Sequence, residues 1–204
     1  MATHTCALKL TYFPLKARAE PIRLALTVGK LKFEDERISV EEFFKRKPEF
    51  TFGSVPVMEV DGQQFAQSGP MLRYAGKITN LYPQDPLEAL KVDQIIAGIE
   101  DLQGVLFPVV WESDQANKVA MIDNFMDTAF HRYCTGVESL IEGEWCIGSQ
   151  MTIADLMVYV LGLTFSEGMF EGIPKDSLKA YKKITQVCKA VGSQPLVKAW
   201  NEAH

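Results

Sequence analysis

A change in the spacing of apolar residues divides this 204-residue sequence into two parts and limits the folds open to it. From Ala7 to about Gly76, strand-like alternation and helix-like spacing follow one another, whereas strand signals nearly vanish in the rest of the chain. Alternation marks half-buried strands, and apolar residues three and four apart mark amphipathic helices. We therefore predict an α/β domain at 1–80, a linker at 81–86 and an all-α domain at 87–204.

The first part is predicted to have the element order β-α-β-α-β-β-α and a mixed four-stranded sheet. Its predicted elements are a strand from Leu8 to Phe13, a helix from Ala19 to Val28, a strand at about 33–38, a short helix from Glu41 to Lys47, a hairpin at 55–66 and a helix that begins at Ser68. Asp61-Gly62 marks the hairpin turn, because a type I′ turn needs positive φ at both central residues.

In the second part, the spacing of the apolar residues predicts helices and no strands. The expected helices run from Leu90 to Val110, from Lys118 to Leu140, at about 175–191 and at about 195–203. Thr152 precedes an apolar run and has Asp155 three positions later, which is the spacing of a capping box. In that motif each of the two side chains accepts a hydrogen bond from the backbone of the other residue. A further helix is therefore predicted to begin at Thr152.

Composition excludes several classes of function. The net charge of −5 and the pI near 5.3 argue against a broad phosphate-binding surface, so nucleic acid is not an expected partner. No stretch approaches the roughly 18 apolar residues of a membrane span, and the first residues lack the apolar core of a signal peptide. The cytoplasm is the expected location. The four cysteines form no C-x-x-C pair and are expected to be reduced and mostly buried, and the three histidines lie far apart, so no metal is expected.

Four short stretches carry a further signal in their order and spacing. They are Leu10-Thr11-Tyr12-Phe13 with Arg18-Ala19-Glu20-Pro21-Ile22-Arg23, the run from Phe52 to Gly62, Gln67-Ser68 with Arg73-Tyr74, and Trp145-Cys146-Ile147-Gly148 with Thr152, Ala154 and Asp155. Together they resemble the cytosolic glutathione transferase family, and most of all its tyrosine-type sigma class. The resemblance implies a thioredoxin-like first domain, glutathione as co-substrate and a homodimer.

The resemblance assigns catalysis to Tyr12 and Arg18. A thiol with a pKa of about 8.5 is mostly protonated at neutral pH, so the enzyme must favour the thiolate of glutathione. The resemblance implies that the Tyr12 hydroxyl donates a hydrogen bond to that sulfur and that Arg18 adds positive charge nearby. From the residues alone, Tyr12 is equally a strand residue in the core, and Arg18 a salt-bridge partner at a helix start.

The resemblance also assigns residues to the two ends of glutathione. Lys47 matches a lysine that binds the glycyl carboxylate, while Phe43 stands where a tryptophan is common, so the indole donor is missing. Gln67 and Ser68 would bind the γ-glutamyl carboxylate at a helix N-terminus, where Ser68 can also act as a plain N-cap. Pro70 follows in the first turn and can remove a donor.

Two more assignments concern the middle of the tripeptide and the partner subunit. Val55-Pro56 interrupts a strand pattern, which a cis peptide bond would explain, although a trans proline at a strand start also fits. The resemblance implies that the Val55 backbone pairs with the cysteinyl backbone of glutathione, beside Pro56. It further implies that Asp101 reaches the γ-glutamyl amine from the partner subunit, unless it is a solvated helix-face carboxylate.

The predicted reaction is attack of the thiolate on a hydrophobic electrophile. The second substrate is expected to contact Phe13, Leu15, Gln103 and Phe107. A glutathione-dependent isomerase of the prostaglandin D synthase kind is an alternative, and so is a non-catalytic carrier or structural protein with the same fold. Thiol–disulfide chemistry is disfavoured, because no cysteine lies in the segment from Tyr12 to Leu15.

Overall fold

The computed structural model describes residues 6–168 and 170–204, apart from the side chain of Val110. One compact unit comprises Met1–Pro83 together with Gln194–His204, and the other comprises Gln84–Ser193. This division differs from the predicted domains at the end of the chain, where the last helix packs with the first unit. The predicted domain boundaries stay a prediction.

The elements of the chain follow the predicted order. The first unit begins with β1 (Leu8–Tyr12), α1 (Glu20–Val28), β2 (Glu34–Arg37), α2 (Val40–Arg46), a 3-10 turn (Lys47–Glu49), β3 (Val57–Val60), β4 (Gln63–Ala66) and α3 (Ser68–Ile78). The second unit contains α4 (Pro86–Val110), α5 (Gln115–Phe125), α6 (His131–Leu140), α7 (Ile153–Ser166) and α8 (Lys182–Gly192). The final helix, α9 (Pro195–Ala203), belongs to the first unit.

The four strands form one mixed sheet in the order β2-β1-β3-β4. β1 and β2 are parallel, whereas β1 with β3 and β3 with β4 are antiparallel. Asp61 and Gly62, at the β3–β4 turn, have φ angles of 50° and 81°, so both central residues have the positive φ that was predicted. β2 forms one edge of the sheet, and all four of its residues, Glu34, Asp35, Glu36 and Arg37, are charged.

The core of the first unit is apolar side chains from β1, β3, α1 and α3. Those that are almost fully buried include Leu10, Ile22, Leu24, Leu26, Val57, Met58, Met71 and Leu72. α1 also buries two charged residues, Glu20 and Arg23, at 1% and 0% exposure. This buried pair lies on an otherwise apolar helix.

The secondary structure of the second unit is helical over its described residues, and several helices depart from the predicted bounds. The helix predicted at about 175–191 begins at Lys182, after a 3-10 turn at Ser177–Ala180, and the helix predicted from Lys118 begins at Gln115. α4 begins at Pro86 rather than Leu90, because the Asp85 side chain accepts hydrogen bonds from the N–H groups of Leu87 and Glu88. The predicted helix from Lys118 to Leu140 is divided by a π-helical turn, Met126–Phe130, between α5 and α6.

The predicted start of α7 is confirmed. The Thr152 side chain accepts a hydrogen bond from the first turn, and Asp155 accepts one from the Thr152 N–H at 2.7 Å. Asp155 also accepts hydrogen bonds from the Thr152 hydroxyl at 2.8 Å and from the Cys146 N–H at 2.6 Å. The capping box therefore also fixes the loop that precedes the helix.

Candidate active site

The Tyr12 side chain is buried at the end of β1, next to Arg18. Only 5% of the residue is exposed. Burial raises the pKa of the Tyr12 phenol, while the charge of Arg18, a hydrogen bond from the Arg18 backbone and the charge of Arg23 oppose that rise. The net pKa is above the ordinary value, so the phenol is protonated at neutral pH and can donate a hydrogen bond. The structure thus brings the two predicted catalytic residues together.

Arg23 supports the segment that links Tyr12 to α1. Its Nη1 donates to the carbonyl of Leu15 at 3.0 Å, and its Nη2 donates to the carbonyl of Phe13 at 3.3 Å. Neither Arg23 nor Glu20 is among the site residues predicted from the sequence. The available signal was a pair of opposite charges three residues apart on an otherwise apolar helix.

Phe43 lies in an aromatic cluster beside the candidate site. Its ring stacks on Phe50 at a centroid distance of 6.1 Å and contacts Phe13 edge-on at 5.4 Å. Phe43 also packs on a buried group formed by Ile38, Phe50 and Val57. A phenyl ring at position 43 therefore contributes packing and offers no hydrogen-bond donor.

Lys47 is exposed at the start of the 3-10 turn that follows α2. The turn continues into Gly53, whose N–H donates to the Phe50 carbonyl at 2.7 Å. A Cβ atom on Gly53 would lie 3.3 Å from Cε of Lys47, and Gly53 has a φ of 59°. The lysine stem thus crosses this turn and leaves its ammonium group at the surface.

The peptide bond between Val55 and Pro56 is cis, as predicted. Pro56 is buried immediately before β3, and Val55 packs on the group of buried residues that also contacts Phe43. The backbone of residue 55 therefore lies at the entry to the central antiparallel pair of the sheet.

Gln67 and Ser68 lie where β4 passes into α3. Gln67 is the N-cap residue with a φ of 74°, and its side chain makes no capping hydrogen bond. Ser68 is the first residue of the helix and is half-buried. Pro70, the third residue, has no N–H to offer, so the first-turn donors are those of Ser68 and Gly69.

The predicted residues for the second substrate divide between the units. Phe13 is half-buried and Leu15 is 41% exposed in the first unit. Gln103 is 8% exposed and Phe107 half-buried on α4 of the second unit. Asp101 is exposed on the same helix. Their assignment to the hydrophobic substrate and to a partner subunit stays a prediction.

The four cysteines are free thiols. Cys134 and Cys146 are buried, and Cys6 and Cys188 are half-buried. Burial raises the pKa of Cys134 and of Cys188 to about 12, and burial together with Asp155 raises the pKa of Cys146. These three thiols are therefore protonated at neutral pH and are poor nucleophiles.

Two further properties hold for residues 6–168 and 170–204. Their side chains include no group of three or more His, Cys, Asp or Glu residues that could hold a metal ion. None of the helices within these ranges combines the length and apolar character needed to cross a membrane.

The element order of the first unit and its mixed sheet β2-β1-β3-β4 define a thioredoxin-like domain. The described secondary structure of the second unit is helical. A family model described as the glutathione S-transferase C-terminal domain matches residues 100–204. The chain is 31% identical to hematopoietic prostaglandin D synthase of Mus musculus, over 94% of each chain. It is also 31% identical to glutathione S-transferase S1 of Drosophila melanogaster, over 95% of this chain and 77% of that protein.

Solved structures agree with these sequence matches. The prostaglandin D synthase of Nilaparvata lugens superposes with a TM-score of 0.87 at 29% identity, covering 96% of this chain and 97% of that one. The chain belongs to the glutathione S-transferase family. Its predicted fold class, enzyme class and similarity to sigma-class members are confirmed, and membership implies glutathione as a co-substrate.

Proposed function

We propose that this chain holds glutathione as a thiolate at Tyr12 and transfers it to hydrophobic electrophiles. The observation that carries the proposal is the buried, protonated phenol beside the backbone N–H and the charge of Arg18. A phenol in this state donates a hydrogen bond that favours the anionic sulfur. Each unit by which the thiol pKa falls corresponds to roughly 1.4 kcal/mol of preference for the thiolate.

The remaining contacts of glutathione are proposed in the first unit, at the residues before β3 and at the N-terminus of α3. The Val55 backbone, held beside Pro56, would pair with the cysteinyl backbone as an added strand does. The γ-glutamyl carboxylate would accept from the Ser68 hydroxyl and from the first-turn N–H groups of α3, with Gln67 alongside. This end of α3 suits an anion, because the Gln67 side chain does not cap it.

The glycyl carboxylate is assigned to Lys47. Its exposed ammonium group is a compact charge that can approach a carboxylate from solvent. Phe43 would contribute only apolar contact there, since its ring has no donor and packs on Phe50. Binding of glutathione is therefore proposed to depend on Lys47 for this end of the molecule.

A homodimer is part of the proposal. α4 has a continuous exposed stripe at Leu87, Leu90, Gln94, Ala97, Asp101, Gly104 and Val105. Leu87 and Leu90 are 61% and 64% exposed, which is unusual for leucines on one face of a long helix. A second copy covering this stripe would bury them, and Asp101, within the stripe, would then face the partner.

The dimer is tested by Leu90→Glu, with Val40→Glu as the matched control. Val40 is 55% exposed on α2, so the control adds the same charge at a similarly exposed apolar residue outside the stripe. Sedimentation should report monomers for Leu90→Glu and dimers for Val40→Glu and the wild type. A monomeric wild type would remove this part of the proposal.

A cytoplasmic location is also part of the proposal.

An isomerase reaction on the same thiolate is the second candidate. It is favoured by the similarity to proteins named prostaglandin D synthase in mouse and in Nilaparvata lugens. Product analysis separates the two reactions, because conjugation consumes glutathione and isomerisation returns it.

The central experiment measures the thiolate absorbance of bound glutathione across pH, together with conjugation of an aryl halide. Wild type is compared with Tyr12→Phe and with Tyr74→Phe, which removes a half-buried phenol from α3. We expect the thiol pKa to be lowered in the wild type and in Tyr74→Phe, and to return toward about 8.5 in Tyr12→Phe. Glutathione bound to the wild type without any fall in its thiol pKa would favour the carrier alternative.

A further inference from the structure

The guanidinium group of Arg23 lies under the segment 13–19, which connects β1 to α1. Arg23 is the fourth residue of α1, its side chain is fully buried, and it reaches back along the chain to the carbonyls of Leu15 and Phe13. Its Cζ atom is 5.9 Å from the centroid of the Tyr12 ring. The segment that it holds begins directly after Tyr12 and carries Arg18.

Two carboxylates also accept hydrogen bonds from the guanidinium group of Arg23. Nε of Arg23 donates to Asp35 of β2 at 2.8 Å, and Nη1 donates to Glu20 at 3.1 Å. Glu20 in turn accepts from Nε1 of Trp200 on α9 at 2.7 Å. Arg23 therefore joins the segment 13–19 to β2 and, through Glu20, to the last helix of the chain.

Stability alone does not account for this arrangement. Burying an ion pair removes two charges from water, and replacing such a pair by apolar residues is often neutral or stabilising. An arginine, however, has a planar fork of donors, and all three nitrogens of Arg23 are used, on two carboxylates and two carbonyls. A lysine has one nitrogen and cannot reach the same four acceptors.

We infer that Arg23 is a positioning residue for the proposed reaction: by holding the carbonyls of Phe13 and Leu15 it keeps Arg18 against the Tyr12 hydroxyl. The inference rests on the proposed function, since Arg23 acts through Tyr12 and Arg18 and not on glutathione itself. Its chemical consequence is that release of the segment removes the Arg18 N–H and charge from the phenol.

The test uses Arg23→Lys, which keeps the charge and loses the fork. Arg37→Gln is the matched control, because Nε of Arg37 donates to the other oxygen of Asp35 at 2.8 Å, so this variant removes a partner of the same carboxylate and leaves Arg23 in place. Glu20→Gln is a second variant in case Arg23→Lys does not fold. Its amide oxygen can still accept from Trp200, but the negative partner of Arg23 is gone.

The first measurement is the phenol titration of Tyr12 without glutathione, read as the absorbance difference between each protein and the same protein with Tyr12→Phe. The charge and N–H of Arg18, and the charge of Arg23, lower the pKa of Tyr12 against the effect of burial, and Arg23→Lys keeps a positive charge at position 23. Release of the segment must therefore raise this pKa further. We expect a rise in Arg23→Lys, a smaller one in Glu20→Gln and none in Arg37→Gln.

The second measurement is catalytic, with folding checked by chemical denaturation. We expect Arg23→Lys to lower kcat for conjugation by about tenfold and to raise the pKa of the bound thiol, with a much smaller change in KM for glutathione. A folded Arg23→Lys protein with a wild-type Tyr12 titration and wild-type kcat would overturn the inference, even if its stability were lower. Wild-type protein that fails to acidify bound glutathione would overturn the proposed function, and the Tyr12 titration would still decide the position of Arg18.

Discussion

Each of the two units holds buried ionisable side chains in a network of hydrogen bonds, Asp155 in the second unit and Arg23 with Glu20 in the first, and the two networks are built differently. In the second unit Asp155 accepts from the N–H of Cys146 and from the N–H and hydroxyl of Thr152. All of these donors are neutral and lie within nine residues of Asp155. In the first unit Arg23 donates to two carboxylates and two carbonyls, and the chain of bonds ends at Trp200, 180 residues from Glu20.

The difference separates what a local sequence can encode from what requires the whole fold. A capping box is complete once one turn of helix has formed, because its partners are neighbours in the chain. The Arg23 network exists only when β2, α1 and α9 have assembled. Loss of the Asp155 capping box should therefore affect stability most, and loss of the Arg23 network should affect the geometry around Tyr12.

The largest effect on stability is expected from Asp155→Ala. It leaves two buried N–H groups and a hydroxyl without their acceptor, which corresponds to a loss of about 3 kcal/mol in the free energy of unfolding. The control is Asp176→Ala, which removes only an exposed partner of Lys179 and should cost at most about 0.5 kcal/mol. Urea denaturation measures both. Equal midpoints for the two variants would contradict the importance of the local network.

A smaller loss is expected from Trp200→Phe, which removes the Nε1 donor and keeps an aromatic ring against Phe33. One oxygen of the buried Glu20 then loses its partner, so the free energy of unfolding should fall by about 1–2 kcal/mol. Trp111→Phe, at a position 79% exposed, is the control and should leave stability unchanged. If both variants were as stable as the wild type, the hydrogen bond from α9 to α1 would make no contribution to the free energy of unfolding.

The smallest effect is expected from Glu36→Gln, at a third network between β1, β2 and α2. Burial raises the pKa of Glu36, but hydrogen bonds from Thr11, Lys9 and Arg46 outweigh it and bring the pKa to about 2 from 4.5. Because the folded pKa is the lower one, this stabilisation is present above pH 4.5 and is lost as the pH falls through about 2.

The measurement for Glu36→Gln is the free energy of unfolding as a function of pH. Solvent screening limits the expected loss at neutral pH to about 1 kcal/mol. The variant should also lose part of the decline in stability between pH 4.5 and 2. An unchanged acid decline would mean that Glu36 is not held by these donors in solution.

The same division explains which features the sequence could predict. The strands, the Asp61-Gly62 turn and the start of α7 at Thr152 depend on neighbouring residues, and their predictions are confirmed. The π-helical turn at Met126–Phe130 was not predicted, because its apolar residues fit an ordinary helical spacing. The roles of Tyr12 and Ser68 came from the resemblance to a family and stay predictions.

The support of the site by Arg23 could not be predicted, because its acceptors at Phe13, Leu15, Glu20 and Asp35 follow no repeating spacing. A buried charged pair on α1 signals that partners exist but does not say which residues they are.

The charged edge strand β2 has a consequence for solubility. An open sheet edge presents unpaired N–H and C=O groups, to which a strand of another molecule can add. Three carboxylates and one guanidinium occupy all four positions of β2, so adding another strand at this edge would desolvate charged side chains and bury no apolar side chain of β2. This edge therefore resists aggregation through strand addition, and the sheet can stay open on that side.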